Sequence, residues 1–221
     1  MSRRSGTPAD DPLSRRRPTS HERLAGQPWD ASYHSGPAPW DIGRPQPAVV
    51  RLASAGAFAG AVLDVGCGTG ENALHLASLG LPVLGVDVAE TALAIARRKA
   101  RDRRIEVEFL AADALQLAAL GRMFHTVLDC GLFHTFDGDE RMRYVASLAR
   151  VTEHNGSLYV LCFSDAGPDT GPHPISEQEL RAALRPSTGW EIAAIEPDRL
   201  ETRIHADGAP AWCATIKRTE T

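Results

Sequence analysis

Gly66, Gly68 and Gly70 alternate between a short apolar run and a helical one, with Asp64 just before them and Glu71 just after. A glycine loop there lets backbone approach a ligand closely, because glycine takes left-handed dihedrals at little cost. A nicotinamide-binding turn needs G-x-G-x-x-G, and position 71, where its third glycine belongs, is Glu. A carboxylate aimed at a pyrophosphate repels it, so the loop reads as a cradle for a nucleoside without phosphates that carries a positive centre. Asp64 and Glu71 suit such a cation, although an acid at a strand end also serves simply to cap the next loop. Asp87 and Asp113 end the next two strand-like runs. From those places one carboxylate reaches the hydroxyls of a ribose, and the other accepts a hydrogen bond from an exocyclic amine.

A second group follows the fourth strand-like run, in Asp129-Cys130-Gly131-Leu132-Phe133-His134. Ligands of open parallel sheets bind outside the carboxyl ends of the strands, so these residues border the same crevice. His134, with an ordinary pKa near about 6.5, is the candidate base or positioning group for a reacting molecule. Its alternative is a hydrogen bond to loop backbone. His173, in Gly171-Pro172-His173-Pro174, falls on an expected lid, and His75 lies inside a helix and reads as structural. Cys67, Cys130, Cys162 and Cys213 stand apart, without the spacing of a metal knuckle, so no metal is expected.

The elements that must position these groups are readable from periodicity. Strands are expected over 61–65, 82–86, 105–110, 124–128 and 156–163, each followed by a helical stretch: 72–79, 89–101, a short Ala/Leu segment, 139–151 and 176–184. Ser176 with Glu179 three residues on has capping-box spacing. The runs 190–195 and 211–216 flank a turn at Asp207-Gly208 and close the chain without an intervening helix. Strand–helix repeats call for a parallel α/β sheet with helices on both faces, and the last two strands add an antiparallel hairpin.

A nucleoside with a positive centre and an amino-acid tail, S-adenosyl-L-methionine, fits the glycine loop and its acids together. Asp64-x-Gly66-x-Gly68-x-Gly70, with Asp87 and Asp113, resembles the class I S-adenosylmethionine-dependent methyltransferases over roughly residues 40 to 218. That resemblance implies a Rossmann-like, seven-stranded, mostly parallel sheet with a C-terminal antiparallel hairpin. It places Gly66, Gly68 and Gly70 on the methionine part, Asp87 on ribose and Asp113 on adenine. Val88, Ala114, Asp64 and Asp129 complete the expected cofactor-binding set. The stretch Trp40-Asp41-Ile42-Gly43-Arg44-Pro45 and the segments 172–180 and 211–216 are similar to a subgroup of thiopurine-type and bacterial small-molecule methyltransferases. By that likeness Trp40 packs on the cofactor, while Ile42, Arg44 and Pro45 border the acceptor; Phe133 and His134 after the fourth strand, and His173 on the lid, are expected to border it by position. The subgroup methylates sulfur, oxygen or nitrogen of small molecules; an acceptor thiol, partly ionised near neutrality, is favoured here because no dedicated base is evident.

With 24 Lys+Arg against 28 Asp+Glu, the chain has no charge excess that draws it to nucleic acid or an acidic membrane. No Asn-Pro-Pro-aromatic stretch or Pro-Cys pair argues for a base-modifying enzyme. A non-catalytic S-adenosylmethionine-binding regulator or an NAD-dependent oxidoreductase are the other readings. The first lacks support because segments 40–47 and 167–175 are available as cover and lid; calorimetry with the two cofactors separates the second. Residues 1–27 mix Arg, Pro, Ser and Asp with little to bury and are expected to be a mobile arm, ahead of a domain over 28–221 whose residues 28–58 cover the site. The expected partner is a small-molecule acceptor, with no nucleic acid and no membrane. A cytoplasmic chain, monomeric or weakly dimeric, is expected.

Overall fold

The computed structural model describes residues 13, 16–167, 171 and 173–219. Seven strands form one sheet: β1 (Val62–Val65), β2 (Val83–Asp87), β3 (Glu108–Ala111), β4 (Phe124–Cys130), β5 (Thr152–Phe163), β6 (Trp190–Leu200) and β7 (Ala209–Arg218), in the order β3-β2-β1-β4-β5-β7-β6. The first five pair in parallel, and β7 lies antiparallel between β5 and β6. The order reverses between β1 and β4, so the ends of β1, β2, β4 and β5 open onto one crevice.

Alternation along each strand feeds two core layers. Leu63, Val65, Val127 and Val160 pack with Tyr144 and Leu148 of α5 (Gly138–Ala149) and Leu180 of α6 (Glu177–Ala183). Val62, Leu128 and Tyr159 turn the other way, against Val49 of α2 (Pro47–Ser54), Leu74 and Leu76 of α3 (Glu71–Ser78), and Leu93 and Ala96 of α4 (Glu90–Arg103). Ser176 and Glu179 form the expected capping box, and Asp137 with Glu140 forms another at the start of α5. The carbonyl of Phe109 on edge strand β3 accepts from Arg97 of α4, which blunts that edge.

Three expectations shift. β3 begins at Glu108 rather than 105, and the Ala/Leu segment is a 3-10 helix over Ala114–Leu120, capped by the Asp113 side chain. The mobile arm does not extend to residue 27. Thr19 and Glu22 make a capping box for α1 (Ser20–Ala25), and left-handed Gly26 ends it. α1 is pinned to the body by Ser20, whose backbone N–H donates to Glu140 Oε1 at 2.7 Å and whose hydroxyl donates to Oε2 at 2.6 Å. Arg16 neutralises the buried Glu22 carboxylate, so charges that composition counts as solvated are paired instead. Residues 1–12, 14 and 15 of that arm, and 168–170 and 172 of the expected lid, lie outside the described residues.

Candidate active site

The glycine loop is anchored to the strand beside it. Gly66 and Cys67 N–H donate to the Val86 carbonyl at 2.8 and 3.0 Å, and Gly68 N–H donates to Asp87 Oδ2 at 2.8 Å. Asp87 Oδ1 accepts from Ala89 N–H at 2.9 Å, fixing the carboxylate at the mouth of the crevice. Burial pushes the Asp87 carboxyl above its ordinary value, against the pull of those N–H groups and of nearby Arg16. Gly66 and Gly68 line the cavity; Gly70 does not. A Cβ at Gly70 would stand 2.7 Å from the Phe109 ring, so this glycine serves helix–sheet packing rather than ligand contact.

Neither acid beside the loop is a free partner for a cation. Glu71 is held by Lys99 Nζ at 2.9 Å and by Arg103 at 2.7 and 2.8 Å. Burial raises its carboxyl, yet Arg103 and Lys99 bring it below the ordinary value. The repulsion expected between Glu71 and a phosphate is therefore largely cancelled. Asp64 is fully buried behind the loop and off the cavity wall, with Oδ2 unpartnered; burial, with Asp129 and Asp87 adding, pushes it up to about 7. Asp113 does line the cavity, flanked by Ala112 and Ala114. Its Oδ1 caps Leu115 N–H at 2.9 Å and its Oδ2 accepts from Gln116 Nε2 at 3.2 Å.

Asp129, expected to touch the cofactor, does not reach the cavity wall. Oδ1 accepts from Leu132 and Phe133 N–H at 3.0 and 3.2 Å, and Oδ2 from the Tyr144 hydroxyl at 2.8 Å. Burial pushes it up to about 6 against these three donors. Asp129 thus folds the turn that carries His134. Phe133 points into the core beside Tyr144, with Arg141 over its ring, and also misses the wall. His134 lines the cavity; its Nδ1 accepts the Phe163 N–H at 3.2 Å, and its ring packs on Phe163 with centroids 4.2 Å apart. His134 thus bonds backbone, at the last residue of β5 rather than in a loop. Burial, reinforced by His21, His173 and Arg141, pulls it down to about 3, so it stays neutral and its remaining ring nitrogen carries the proton.

The roof comes from the N-terminal segment. A 3-10 helix over Trp29–Tyr33 follows α1, and Asp30 ties it to α4 through Thr91 N–H and hydroxyl at 2.7 and 2.9 Å. Trp40 lines the cavity, donates from Nε1 to the Tyr33 hydroxyl at 2.9 Å, and stands edge-on to Trp29 and Tyr33. Ile42 and Arg44 also line it, with Arg44 paired to Glu201 at 2.6 Å; Pro45 does not. Val88 is in the wall beside Asp87, and His173 is not in the wall, although it stands near His134 and His21.

Sequence reasoning missed Arg16, His21, Trp29 and Tyr33, all of which line the cavity. The signals were present in the Thr19-x-x-Glu22 capping box and in the aromatic spacing of residues 21–40.

The cavity encloses about 320 Å³, within the range of small-molecule sites. Its residues fit the hydroxyls and exocyclic amine of a nucleoside. Asp87 and Asp113 each spend only two of about four acceptor positions on the protein and keep the rest for hydroxyl or amine donors. Tyr33 covers Gly68 closely, its hydroxyl 3.1 Å from where a Cβ would lie.

The methyltransferase-domain family matches residues 62–156, spanning β1 to β5. A 2-heptyl-1-hydroxyquinolin-4(1H)-one methyltransferase of Mycobacteroides abscessus is 37% identical over 183 residues, covering 81% of this chain and 75% of that protein. A probable thiol methyltransferase of Arabidopsis thaliana is 27% identical, covering 78% of this chain and 77% of its own. Among solved structures, one described as "Conversion of a Disulfide Bond into a Thioacetal Group during Echinomycin Biosynthesis" has a TM-score of 0.76 and 38% identity, covering 83% of this chain and 85% of that one. The seven-stranded order, the glycine loop with its acids and these similarities agree: the chain belongs to the class I S-adenosylmethionine-dependent methyltransferases.

Proposed function

We propose that the protein transfers a methyl group to a heteroatom of a small aromatic molecule, with thiol sulfur favoured. The observation that carries this reading is a roofed cavity with two unlike ends. At the β2 and β3 ends stand Asp87 and Asp113, which this reading assigns to ribose and adenine, and Gly66 and Gly68, which it assigns to the methionine part, line the wall between them and β4. At the β4, β5 and β6 ends the wall is His134, Phe163 and Leu200, with Ile42 and Arg44 at the rim. A cleft of about 320 Å³, lined by Trp29 and Trp40, is of the size of small-molecule sites.

When bound, the cofactor supplies an electrophilic methyl group on a sulfonium. The chain's own residues then align the acceptor and exclude water, which suffices for an in-line displacement. His134 acts here as a hydrogen-bond donor that orients the acceptor and stabilises negative charge on it. With one nitrogen spent on Phe163 N–H and a pKa near 3, it is no proton acceptor at neutral pH. With His134 excluded as the base, an acidic and nucleophilic acceptor such as a thiol is the one favoured. The thiol methyltransferase likeness supports sulfur. A second reading, an acidic hydroxyl or ring nitrogen of a heteroaromatic, is favoured by the relative named for a hydroxyquinolinone.

The test is a panel of thiols, phenols and N-heterocycles with S-adenosylmethionine, read by release of S-adenosylhomocysteine. Turnover of aromatic thiols is expected. Activity only on nucleic acid or protein, or none on the panel while the cofactor binds, would contradict the reading.

A further inference from the structure

Three histidines from three separate elements lie within electrostatic range of His134 at the acceptor end: His21 of α1, His134 itself in the turn after β4, and His173 of the loop before α6. Among the described residues no group of His, Cys, Asp or Glu can hold a metal ion, so the cluster is not read as a metal centre. The three differ in what their ring nitrogens can do. His134 Nδ1 already accepts the Phe163 N–H. His173 carries a buried Nε2 without a partner but does not line the cavity. Of the three, His21 lines the wall with a ring nitrogen to spare: Nδ1 is buried without a partner, and Nε2 is not buried and has no hydrogen bond among the described residues. Its ring is stacked flat on Trp29, centroids 4.4 Å apart and planes 19° apart, which fixes its orientation under the roof.

We propose that His21, delivered by the N-terminal helix, is the base that takes the proton of the acceptor's thiol or hydroxyl, while His134 donates the hydrogen bond that orients the same molecule. This deepens the proposed function and rests on it. The step balances within the site. The acceptor's S–H or O–H proton passes to the lone pair of His21 Nε2, the ring nitrogen that is not buried. The acceptor's electron pair forms the new bond to the methyl carbon, and the carbon–sulfonium bond breaks with its pair retained by the departing sulfur. Imidazolium then returns its proton to water.

The groups facing His21 set how strong a base it is. Burial and His173 hold the imidazole below its ordinary value, while Glu22 on the same helix opposes them; His134 adjoins it, with Arg141 of α5 near His134. A neutral but weak base serves an acceptor of matching acidity best. The site is therefore selective for acidic thiols and hydroxyls of aromatic rings, and poor for alkyl alcohols or unactivated phenols.

The test compares wild type with His21→Gln and His21→Asn on ring-substituted thiophenols and phenols of graded acidity. Rates for the weakest acids should fall about 100-fold, the lower range for loss of a general base, with the loss shrinking steadily as acidity rises. The acid limb of the kcat/KM profile should vanish in both variants. Added imidazole should restore rate to His21→Ala. A loss of equal size across the whole series, with the acid limb retained, would overturn the proposal.

A second readout does not need turnover. With S-adenosylhomocysteine bound, 4-nitrophenol should ionise at lower pH on the wild type than on His21→Gln, followed by the absorbance of its anion. Identical ionisation on both would overturn the assignment. A wild-type shift without methyl transfer to any acceptor would support His21 as proton acceptor while contradicting the proposed function.

Discussion

Replacing Asp87 by Ala separates what this carboxylate does for the ligand from what it does for the fold. The Asp87 side chain accepts Gly68 N–H at 2.8 Å and Ala89 N–H at 2.9 Å, so the variant leaves two donors unmatched. Gly68 is at the cavity wall where water can replace the carboxylate, but Ala89 is fully buried at the cap of α4. One buried unmatched donor costs about 1–3 kcal/mol, or about 2–10 °C in melting temperature for a chain of this size. The hydrogen bond to ribose is charge-assisted and worth about 1.5–3 kcal/mol, which converts to a roughly 10- to 150-fold weaker Kd. Calorimetric titration with S-adenosylmethionine, at a temperature where Asp87→Ala is fully folded, measures the second effect apart from the first. Asp87→Asn, which keeps one acceptor oxygen, should fall between the two. Unchanged affinity in Asp87→Ala, with or without a lower melting temperature, would refute the placing of ribose on β2.

Tyr144→Phe should lower stability by about 1–3 kcal/mol, because Asp129 Oδ2 loses its only hydroxyl donor while remaining buried; a melting curve identical to wild type would count against Asp129 as the organiser of the His134 turn. Gly70→Ala should cost about 1–3 kcal/mol through its φ of 82° and a Cβ 2.7 Å from Phe109. The same variant, once folded, should bind cofactor with near wild-type affinity, and a selective loss of binding would move Gly70 back to the ligand. Stability should also carry two opposed pH slopes. Asp64 titrates near 7 in the folded chain, above its unfolded value, so its contribution is full in acid and lost as pH rises through about 7. His134 titrates near 3, below its unfolded value, so its contribution is present above about 6.5 and lost as pH falls towards about 3. Asp129, raised to about 6, and Asp87 add to the first slope, so Asp64→Asn should lessen it without abolishing it, and His134→Gln should lessen the second, in chemical denaturation from pH 4 to 8; an unaltered slope in either variant would contradict the burial assigned to that group.

Much of the sheet was legible because buried strands and amphipathic helices impose their own periods. The loop between Asp64 and Glu71 announced itself by three glycines. Which glycine meets the ligand was not legible, since it is the ring of Phe109 from β3 and the Ala96 methyl of α4, both distant in sequence, that tell Gly70 from Gly68. The charge on Glu71 was read correctly as a carboxylate and wrongly as unopposed, because Lys99 and Arg103 reach it from the next crossover helix. Asp129 looked like a ligand for the same reason that it is a good organiser: it sits at a strand end with three donors around it. The segment 16–46 was the least legible. Its stability depends on contacts with Glu140, Thr91 and Thr69, far along the chain, that no local pattern encodes.

The most direct test of the central claim is a crystal structure of the complex with S-adenosylhomocysteine. It should place the ribose hydroxyls on the Asp87 carboxylate, the adenine edge by Asp113, and the sulfur facing the chamber of His134 and Phe163 beneath Trp29. A nucleoside found elsewhere, or seated with its sulfur turned away from that chamber, would contradict the account.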